Sequence, residues 1–283
     1  MEASINGASI IHSSSNNLRV LMEFKPAPLP ELLLCCCAGI MGGFMFGVMH
    51  VSMECAWFFL LKGLEARGLI TRLAPSIPVT RVKATMQDFL SVSIPPMPLA
   101  AFMFSGRQTY WKNCHVSLNI TGGLLFTWLL MVLHDAYFWF IHSNLHHFKR
   151  VYRAVHQLHH TTSGDITVFS TAYGEILDIA VSFTPFYSMV MLWLYCKSEW
   201  NPFYIVLATW AVNNVDMMGH CGYKLPIWVY VPASLGVLLT PLSQRPIHHY
   251  IHHLDPRFNR SLYFTWCDRL GGTYRGTHPK CIT

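Results

Sequence analysis

The sequence HSNLHHFKRVYRAVHQLHH, residues 142–160, decides how this chain is interpreted. It contains the spacings HxxxHH and HxxHH, and a second HxxHH, HYIHH, follows at 249–253. On a helix, side chains at positions i, i+3 and i+4 share one face, so each of these three histidine boxes directs two or three imidazoles towards one point. Imidazole nitrogen is a common ligand of iron, zinc and copper. The boxes therefore predict a metal centre.

The histidines of this chain are concentrated in two windows. Sixteen histidines are present, and eleven of them lie between 134 and 160 or between 248 and 253. A single histidine is usually a core or surface residue, but three boxes in one chain are not expected by chance. Two metal ions with four or five nitrogen ligands each would use about nine imidazoles. Soluble di-iron carboxylate proteins use Glu and Glu-x-x-His instead, and this sequence has no such motif.

The composition indicates a membrane protein. Hydrophobic residues make up 52% of the chain, charged residues only 12%, and the mean hydropathy is +0.33. A soluble domain carries about 25% charged residues. The net charge of +6 comes from basic residues that flank apolar segments, as in loops that face the cytosol, which argues against nucleic-acid binding. We predict an all-α integral membrane protein with about four transmembrane helices and a cytosolic helical cap that holds a histidine-rich dimetal site.

Four apolar segments are long enough to cross a bilayer. They are residues 32–61, 118–141, 176–196 and 203–218. Residues 89–104 are also apolar but contain three prolines, so this segment is either a kinked span or a re-entrant segment. Residues 227–242 contain two prolines and are expected to lie on the surface.

The domain organisation follows from these spans. Residues 1–28 are polar and rich in Ser and Asn, which predicts a flexible N-terminal tail, and residues 29–283 are expected to form one membrane-embedded domain. The two histidine windows have to lie on the same side of the membrane if they bind the same metals. The segments 176–196 and 203–218 meet this requirement, because the chain crosses with the first and returns with the second.

Some polar residues outside the boxes allow two interpretations. His50 and Glu54 share a face of the first span, where they either turn towards other helices or belong to a substrate path. Asp268 and Arg269 are either an active-site acid and base or, as we expect, a structural ion pair or helix cap. Three carboxylates lie near histidines in the sequence and are candidates for orienting ring N–H groups: Asp135, Asp165 and Asp255.

The boxes, their order and the phrase FTWCDRLGGT at 264–273 resemble the fatty acid hydroxylase/sterol desaturase superfamily. The segment HCGY at 220–223 is similar to the segment that precedes the last box in its sterol-oxidising members. The resemblance covers about 75–275. It implies a non-haem di-iron centre with O₂ as co-substrate at the cytosolic face of the endoplasmic reticulum membrane. It also implies electrons from cytochrome b5 or a similar donor with an NAD(P)H reductase.

The resemblance also implies a set of metal ligands and no catalytic residue beyond them. The ligands would be His142, His146, His156, His159, His160, His220, His249, His252 and His253. The roles of His134, His147 and His248 stay open. The sequence departs from the family pattern at Ser143 and Cys267, which leaves the substrate open.

A helical wheel separates two of the remaining histidines. Residues 124–163 contain no Gly or Pro, so one helix could carry a span and both of the first two boxes, with a bend between Phe148 and Ala154 as the alternative that brings both boxes to one centre. At about 100° per residue, His134 lies on the face that carries the ligands, and His147 points away from it. We therefore expect His134 to support the metal site and His147 to have a structural or supporting role rather than to be a ligand.

The sequence thus predicts an enzyme, a non-haem di-iron monooxygenase that hydroxylates a C–H bond of a membrane lipid or sterol. A desaturase that uses the same centre is the main alternative. A histidine-rich metal transporter is a distant one, because Lys149, Arg150 and Arg153 place the boxes outside the spans. A scaffold without activity is a further alternative, and the presence of every box histidine argues against it. The chain has no GxGxxG and no haem-binding segment, so an external electron donor is expected.

Overall fold

Helices account for nearly all of the regular structure. The computed structural model describes residues 29–74, 86–104, 114–162, 164–196, 201–234 and 240–281, so the predicted tail at 1–28 lies outside the described residues. In chain order the helices are α1 (Leu29–Ala66), α2 (Met86–Ser93), α3 (Met97–Phe104), α4 (Ile120–His147), α5 (Lys149–Val151), α6 (Gln157–His160), α7 (Ile176–Cys196), α8 (Pro202–Gly219), α9 (Ile227–Ser234), α10 (Pro246–Leu254) and α11 (Trp266–Leu270). The strands β1 (Thr71–Arg72) and β2 (Tyr223–Lys224) pair antiparallel.

Among the described residues, three helices are long and apolar enough to cross a membrane. They are α1, α4 and α7, with 38, 28 and 21 residues. Because a helix rises about 1.5 Å per residue, each covers the roughly 30 Å of hydrocarbon. The fourth predicted segment, 203–218, forms α8, which runs beside them and buries Asn213, Asn214 and Asp216. The predicted all-α membrane fold is confirmed, with three helices that qualify by length and composition and α8 as a more polar companion.

The proline-containing segment runs antiparallel to α1. Gly47 of α1 lies against Phe89 of α2, and Gly39 lies against Ala101 of α3. The contacts therefore progress in one direction along α1, and the segment does not turn back. The break between α2 and α3 contains Pro95, which has no N–H to continue the helix. The contacts favour the kinked span over the re-entrant segment.

Polar contacts identify which helix ends lie together. Gln87, at the start of α2, donates a hydrogen bond from Nε2 to the carbonyl of Gly174, just before α7, over 2.8 Å. At the opposite end of the bundle, Asn201 before α8 donates from Nδ2 to the carbonyl of Ser117 before α4, over 2.7 Å. The last turns of α4 and α8 and the first turn of α7 therefore meet at one end. The chain leaves along α7 and returns along α8, as predicted.

The helix that carries the first two boxes is interrupted. At Phe148 the backbone is extended, with φ −90° and ψ 93°, so α4 ends at His147. After α5 the chain forms a π-helical turn, Tyr152–His156, and then α6. The single helix expected over 124–163 is therefore wrong. A π-helical turn inserts an extra residue, which re-aims the side chains that follow it.

Buried carboxylates hold the C-terminal segment against α4 and hold the segment itself together. Asp135 of α4 accepts hydrogen bonds from the backbone N–H groups of Leu262 and Tyr263, over 2.9 and 2.7 Å. Asp268 is fully buried and accepts from the N–H of Arg260 over 2.8 Å and from other donors of this segment. The structural role expected for Asp268 is therefore supported, but as a hydrogen-bond acceptor rather than as half of an ion pair with Arg269.

Close packing of α1 on the kinked span makes its glycines sensitive to substitution. At Gly47 a Cβ atom would meet the Ser93 hydroxyl and the Phe89 ring, whereas at Gly63 it would meet only the flexible end of Arg67. We expect Gly47→Leu to lower the melting temperature of the purified protein by about 5 °C or more, the shift for roughly 2 kcal/mol of overpacking. Gly63→Leu is the control and should leave it unchanged. Equal shifts for both variants would contradict this packing.

Candidate metal centre

Five imidazoles converge on one point at the end of the bundle. They come from α4, the π-helical turn, α6 and α10: His142, His146, His156, His160 and His252. One nitrogen of each ring lies within 4.8 Å of the corresponding nitrogens of the others. Four of these residues are buried and His146 is half-buried. We call this set the five-histidine group.

Four further imidazoles form a second group beside it. They are His159, His220, His249 and His253, all buried, with one nitrogen each within 4.8 Å of the others. The two groups adjoin, since the ring centroids of His159 and His156 are 5.2 Å apart. All nine predicted ligands thus lie in these two sets. Neighbours in sequence, His159 and His160 or His252 and His253, belong to different groups, because a helix turns about 100° per residue. We call the second set the four-histidine group.

The outer nitrogens of five rings are fixed by acceptor oxygens. In each of these rings Nδ1 is the donor. Four rings donate to backbone carbonyls: His142 to Arg260 (2.8 Å), His252 to Phe258 (2.8 Å), His159 to Tyr173 (3.0 Å) and His220 to Asp216 (2.9 Å). The fifth, His156, donates to the Asp178 carboxylate (2.7 Å). A carbonyl oxygen can only accept, so Nδ1 carries the proton in these rings. In the neutral ring, Nε2 then carries the lone pair.

The inner nitrogens face one another at short distance. Nε2 of His142 is 2.9 Å from Nε2 of His156, and Nε2 of His159 is 3.3 Å from Nε2 of His220. Both partners of each pair carry a lone pair there, so neither can donate a hydrogen bond to the other. A cation placed between the rings would remove this repulsion. The donor set of each group therefore fits a metal ion, and imidazole nitrogen suits iron, zinc or copper.

Burial keeps six of these rings neutral. Burial lowers the pKa of His156 to about 3. Burial, together with the mutual repulsion of neighbouring rings, holds the pKa of other rings of both groups outside the membrane-spanning helices well below the usual value: His159, His160, His249, His252 and His253. A metal binds the deprotonated ring nitrogen. At neutral pH the lone pairs are therefore available.

Two aspartates that the sequence did not single out orient ligand rings, Asp178 through its carboxylate and Asp216 through its backbone carbonyl. Asp178, in the first turn of α7, accepts from His156 Nδ1, and the Oδ1 atom of Asp216 lies 3.4 Å from His220 Nδ1. Carboxylates in this position fix the tautomer and the ring orientation of a metal-binding histidine. Asp178 is 22 residues from His156 in sequence, so spacing alone gives no signal.

The carboxylates expected to do this lie elsewhere. Asp135 binds the backbone of the C-terminal segment, and Asp255 pairs with Arg257, Nη2 to Oδ2 2.7 Å. For Asp165 the expectation stays a prediction.

The remaining histidines of the two windows lie outside both groups. His134 is fully buried, and its ring bonds to the Tyr263 hydroxyl over 2.9 Å, which joins α4 to the C-terminal segment. His248 accepts through Nδ1 from the backbone N–H of Arg245 over 3.1 Å, at the start of α10. His147 is exposed and its ring contacts that of Phe148, with centroids 4.9 Å apart. Neither His134 nor His147 belongs to a histidine group, and the supporting roles expected for them stay predictions.

The open side of the centre faces the interior of the bundle. A cavity of about 20 Å³ lies there. It is lined by rings of both groups and by apolar side chains of α4, α7 and the C-terminal segment: His142, His156, His159, His220, His249, Phe138, Ile179, Phe183 and Leu262. A group that reaches the centre from this side meets both sets of imidazoles and an apolar wall.

The chain matches a family model and several curated proteins. The fatty acid hydroxylase family model matches residues 127–273, which include all nine histidines of the two groups. Methylsterol monooxygenase 1 of Rattus norvegicus is 28% identical over 148 residues, 50% of this chain and 44% of the relative. Lathosterol oxidase of Mus musculus is 24% identical over 204 residues, 69% of this chain and 60% of the relative.

A third similar protein is a Delta(7)-sterol 5(6)-desaturase of Gibberella zeae. It is 27% identical over 157 residues, 54% of this chain and 43% of that protein. The chain thus spans 43% to 60% of the length of these three relatives. No solved structure matches the chain.

A substitution in either group is expected to remove one of two bound metal ions. We expect His160→Ala, in the five-histidine group, and His253→Ala, in the four-histidine group, each to lower the bound metal from two ions to about one per chain, because a group that loses a ligand binds weakly. Metal content is measured by mass spectrometry on the purified protein. His147→Ala is the matched control and should keep its metal. A loss in His147→Ala equal to that in His146→Ala would overturn its assignment, and full retention in His160→Ala would remove that ring from the site.

The carboxylate beside His156 has its own test. Asp178→Ala should weaken metal binding about tenfold to a hundredfold, as loss of an orienting partner does elsewhere, and Asp178→Asn should restore part of it because its amide oxygen still accepts. Competition with a chelator measures the affinity. Asp255→Ala, which removes an exposed ion pair, is the control. Equal affinity of Asp178→Ala and the unmodified protein would contradict the orienting role.

Proposed function

This chain belongs to the fatty acid hydroxylase family, and we propose that it catalyses the O₂-dependent hydroxylation of a C–H bond in a sterol or related membrane lipid at a di-iron centre. The observation that carries this proposal is the pair of adjoining imidazole groups, five rings and four rings, at the end of a membrane bundle. The names of the relatives support the substrate class, since each acts on a sterol by name.

The reaction needs reducing equivalents. A C–H bond, one O₂, two electrons and two protons give one alcohol and one water. Two iron ions, when bound, supply the redox chemistry that activates O₂. The chain would hold them through the neutral ligands of both groups, and the Asp178 carboxylate and the Asp216 carbonyl keep the rings of His156 and His220 in the binding orientation. Phe138, Ile179 and Phe183 offer the C–H bond an apolar wall that excludes water.

A desaturase is the second candidate. The lipid would then lose two hydrogens, and O₂ with two electrons and two protons would leave as two waters, so that a double bond forms instead of an alcohol. The similarity to the sterol desaturase of Gibberella zeae and to lathosterol oxidase favours this outcome. The two reactions share the metal site and the path of the substrate. They differ in whether the carbon gains an oxygen atom or loses a second hydrogen.

The electron donor and the location are part of the proposal. We propose cytochrome b5 or a similar carrier, with an NAD(P)H reductase, as the donor. We place the protein in the endoplasmic reticulum membrane with the histidine end in the cytosol. The exposed cations Lys149, Arg150 and Arg153 beside the centre support this orientation, because cytosolic loops are rich in Lys and Arg. A metal transporter would need ligands along a transmembrane path, whereas both groups lie together at one end of the bundle.

Product analysis tests the reaction. The protein is expressed in a yeast strain of defined sterol content, and the lipids are profiled by mass spectrometry. A product heavier by one oxygen atom is expected for a hydroxylase, and one lighter by two hydrogens for a desaturase. With purified protein, O₂ and lipid but no carrier, we expect less than one turnover per chain. Unchanged lipids in cells that contain the metal-loaded protein, with His160→Ala as the inactive control, would overturn the proposed function.

A further inference from the structure

A polar pair lies inside the membrane bundle, below the metal centre. His50 and Glu54 of α1 are 3% and 0% exposed, although α1 is a candidate membrane span. The ring nitrogen Nδ1 of His50 lies 2.9 Å from Oδ1 of Asn213 on α8. Ionisable side chains at membrane depth are costly and usually serve ligands, ions or protons. The histidine groups do not include this pair.

The pair leaves polar atoms unsatisfied. Asn213 donates from Nδ2 to the carbonyl of Thr209 over 2.7 Å, so its Oδ1 accepts from His50 Nδ1, and the other ring nitrogen, Nε2, faces the Glu54 carboxyl group. Among the described residues, His50 Nε2 and both carboxylate oxygens of Glu54 have no hydrogen-bond partner. Nε2 and Oε1 approach to 3.4 Å without hydrogen-bond geometry. Buried polar groups almost always have a partner, so these atoms point to a donor that binds here.

The polar pair borders a cavity that adjoins the centre. His50 and Asn213 line a cavity of about 20 Å³. Its remaining walls are mostly apolar and come from α1, the kinked span, α7 and α8: Phe46, Val92, Pro95, Thr171, Ile179, Phe183, Tyr187 and Asp216. Four of these residues also line the cavity beneath the histidine groups: Thr171, Ile179, Phe183 and Asp216. The two spaces are therefore neighbours that share one wall.

We infer that this cavity binds the lipid substrate and that a hydroxyl group of that lipid, which can both donate and accept, hydrogen-bonds to His50 at its pair with Glu54. The inference rests on the proposed function and narrows its substrate to a hydroxylated lipid, with a sterol as the class that the apolar walls accept. Asn213 lies seven residues before His220 on the same chain segment, roughly 10 Å along a helix axis. One rigid four-ring lipid can bridge that separation, with its hydroxyl at His50 and another carbon at the centre.

Side chains have to move before such a lipid binds. A cavity of about 20 Å³ admits one water-sized group. The rings of Phe46 and Phe183 are half-buried, so they reach the outer surface of the bundle and can swing towards the lipid. We place the entrance between these two rings, on α1 and α7.

A neighbouring pair on the same two helices provides the matched control. Trp57 of α1 donates from Nε1 to Oδ1 of Asn214 on α8 over 2.6 Å. Neither residue lines the cavity. Removing this hydrogen bond tests the packing of α1 on α8, whereas removing that of His50 tests packing and hydroxyl recognition together.

Binding of two sterols distinguishes these roles. Full-length metal-loaded protein is titrated with cholesterol and with cholest-5-ene, which lacks the hydroxyl group. We expect the unmodified protein and Trp57→Phe to bind cholesterol about tenfold more tightly than cholest-5-ene. One net hydrogen bond of about 1.4 kcal/mol gives this ratio. His50→Leu should bind both sterols equally, and His50→Gln, which keeps an acceptor, should recover part of the preference. Metal content confirms that each variant is folded.

The outcomes separate this inference from the proposed function. A preference for cholesterol that persists in His50→Leu, or failure of the unmodified protein to bind cholesterol, would overturn the inference even if lipid oxidation is observed. Loss of the preference in His50→Leu would support it even if no oxidised lipid is found, in which case only the proposed reaction fails.

Discussion

Mutual repulsion of nitrogen lone pairs is the constraint on which the rest of this structure depends. Nε2 of His142 and Nε2 of His156 are 2.9 Å apart, and each ring gives its proton to an acceptor on the other side. Such an arrangement is unfavourable without a cation, and it is costly to assemble in a buried place. The fold therefore has to hold the outer face of each ring with a fixed acceptor. The backbone carbonyls of Arg260, Phe258 and Tyr173 and the Asp178 carboxylate meet this need.

These acceptors explain the shape of the cap. A straight helix through 142–160 would present both boxes along one stripe, but the rings have to surround two points. The extended residue Phe148 and the π-helical turn Tyr152–His156 fold the second box back over the first. Asp135 and Asp268 then bind the C-terminal segment, which carries two of the carbonyls, against α4. The polar interior of the cap is thus a consequence of the metal site that it supports.

The membrane bundle contributes the remaining geometry. Glycines of α1 let the kinked span approach closely, and α7 and α8 bring Asp178 and His220 to the same end. The polar residues that α8 buries, Asn213, Asn214 and Asp216, make it less apolar than the three candidate spans. They face α1 and the centre rather than lipid, which is how polar groups are tolerated at membrane depth. The same helix therefore serves packing, ligand orientation and the cavity beneath the metals.

The sequence by itself determined the helical membrane class and the eight box imidazoles of the centre, because hydropathy and the i, i+3, i+4 spacing are local properties of a chain, and the resemblance to the family added His220. It did not determine how those imidazoles divide between two groups, nor the break at Phe148, since a 100° rotation per residue assumes a regular helix. It also missed Asp178 and Asp216, while Asp135 and Asp255, close to histidines in sequence, contact other partners. Which carboxylate meets which ring depends on helices that are distant along the chain and adjacent in space, so only the tertiary structure decided it.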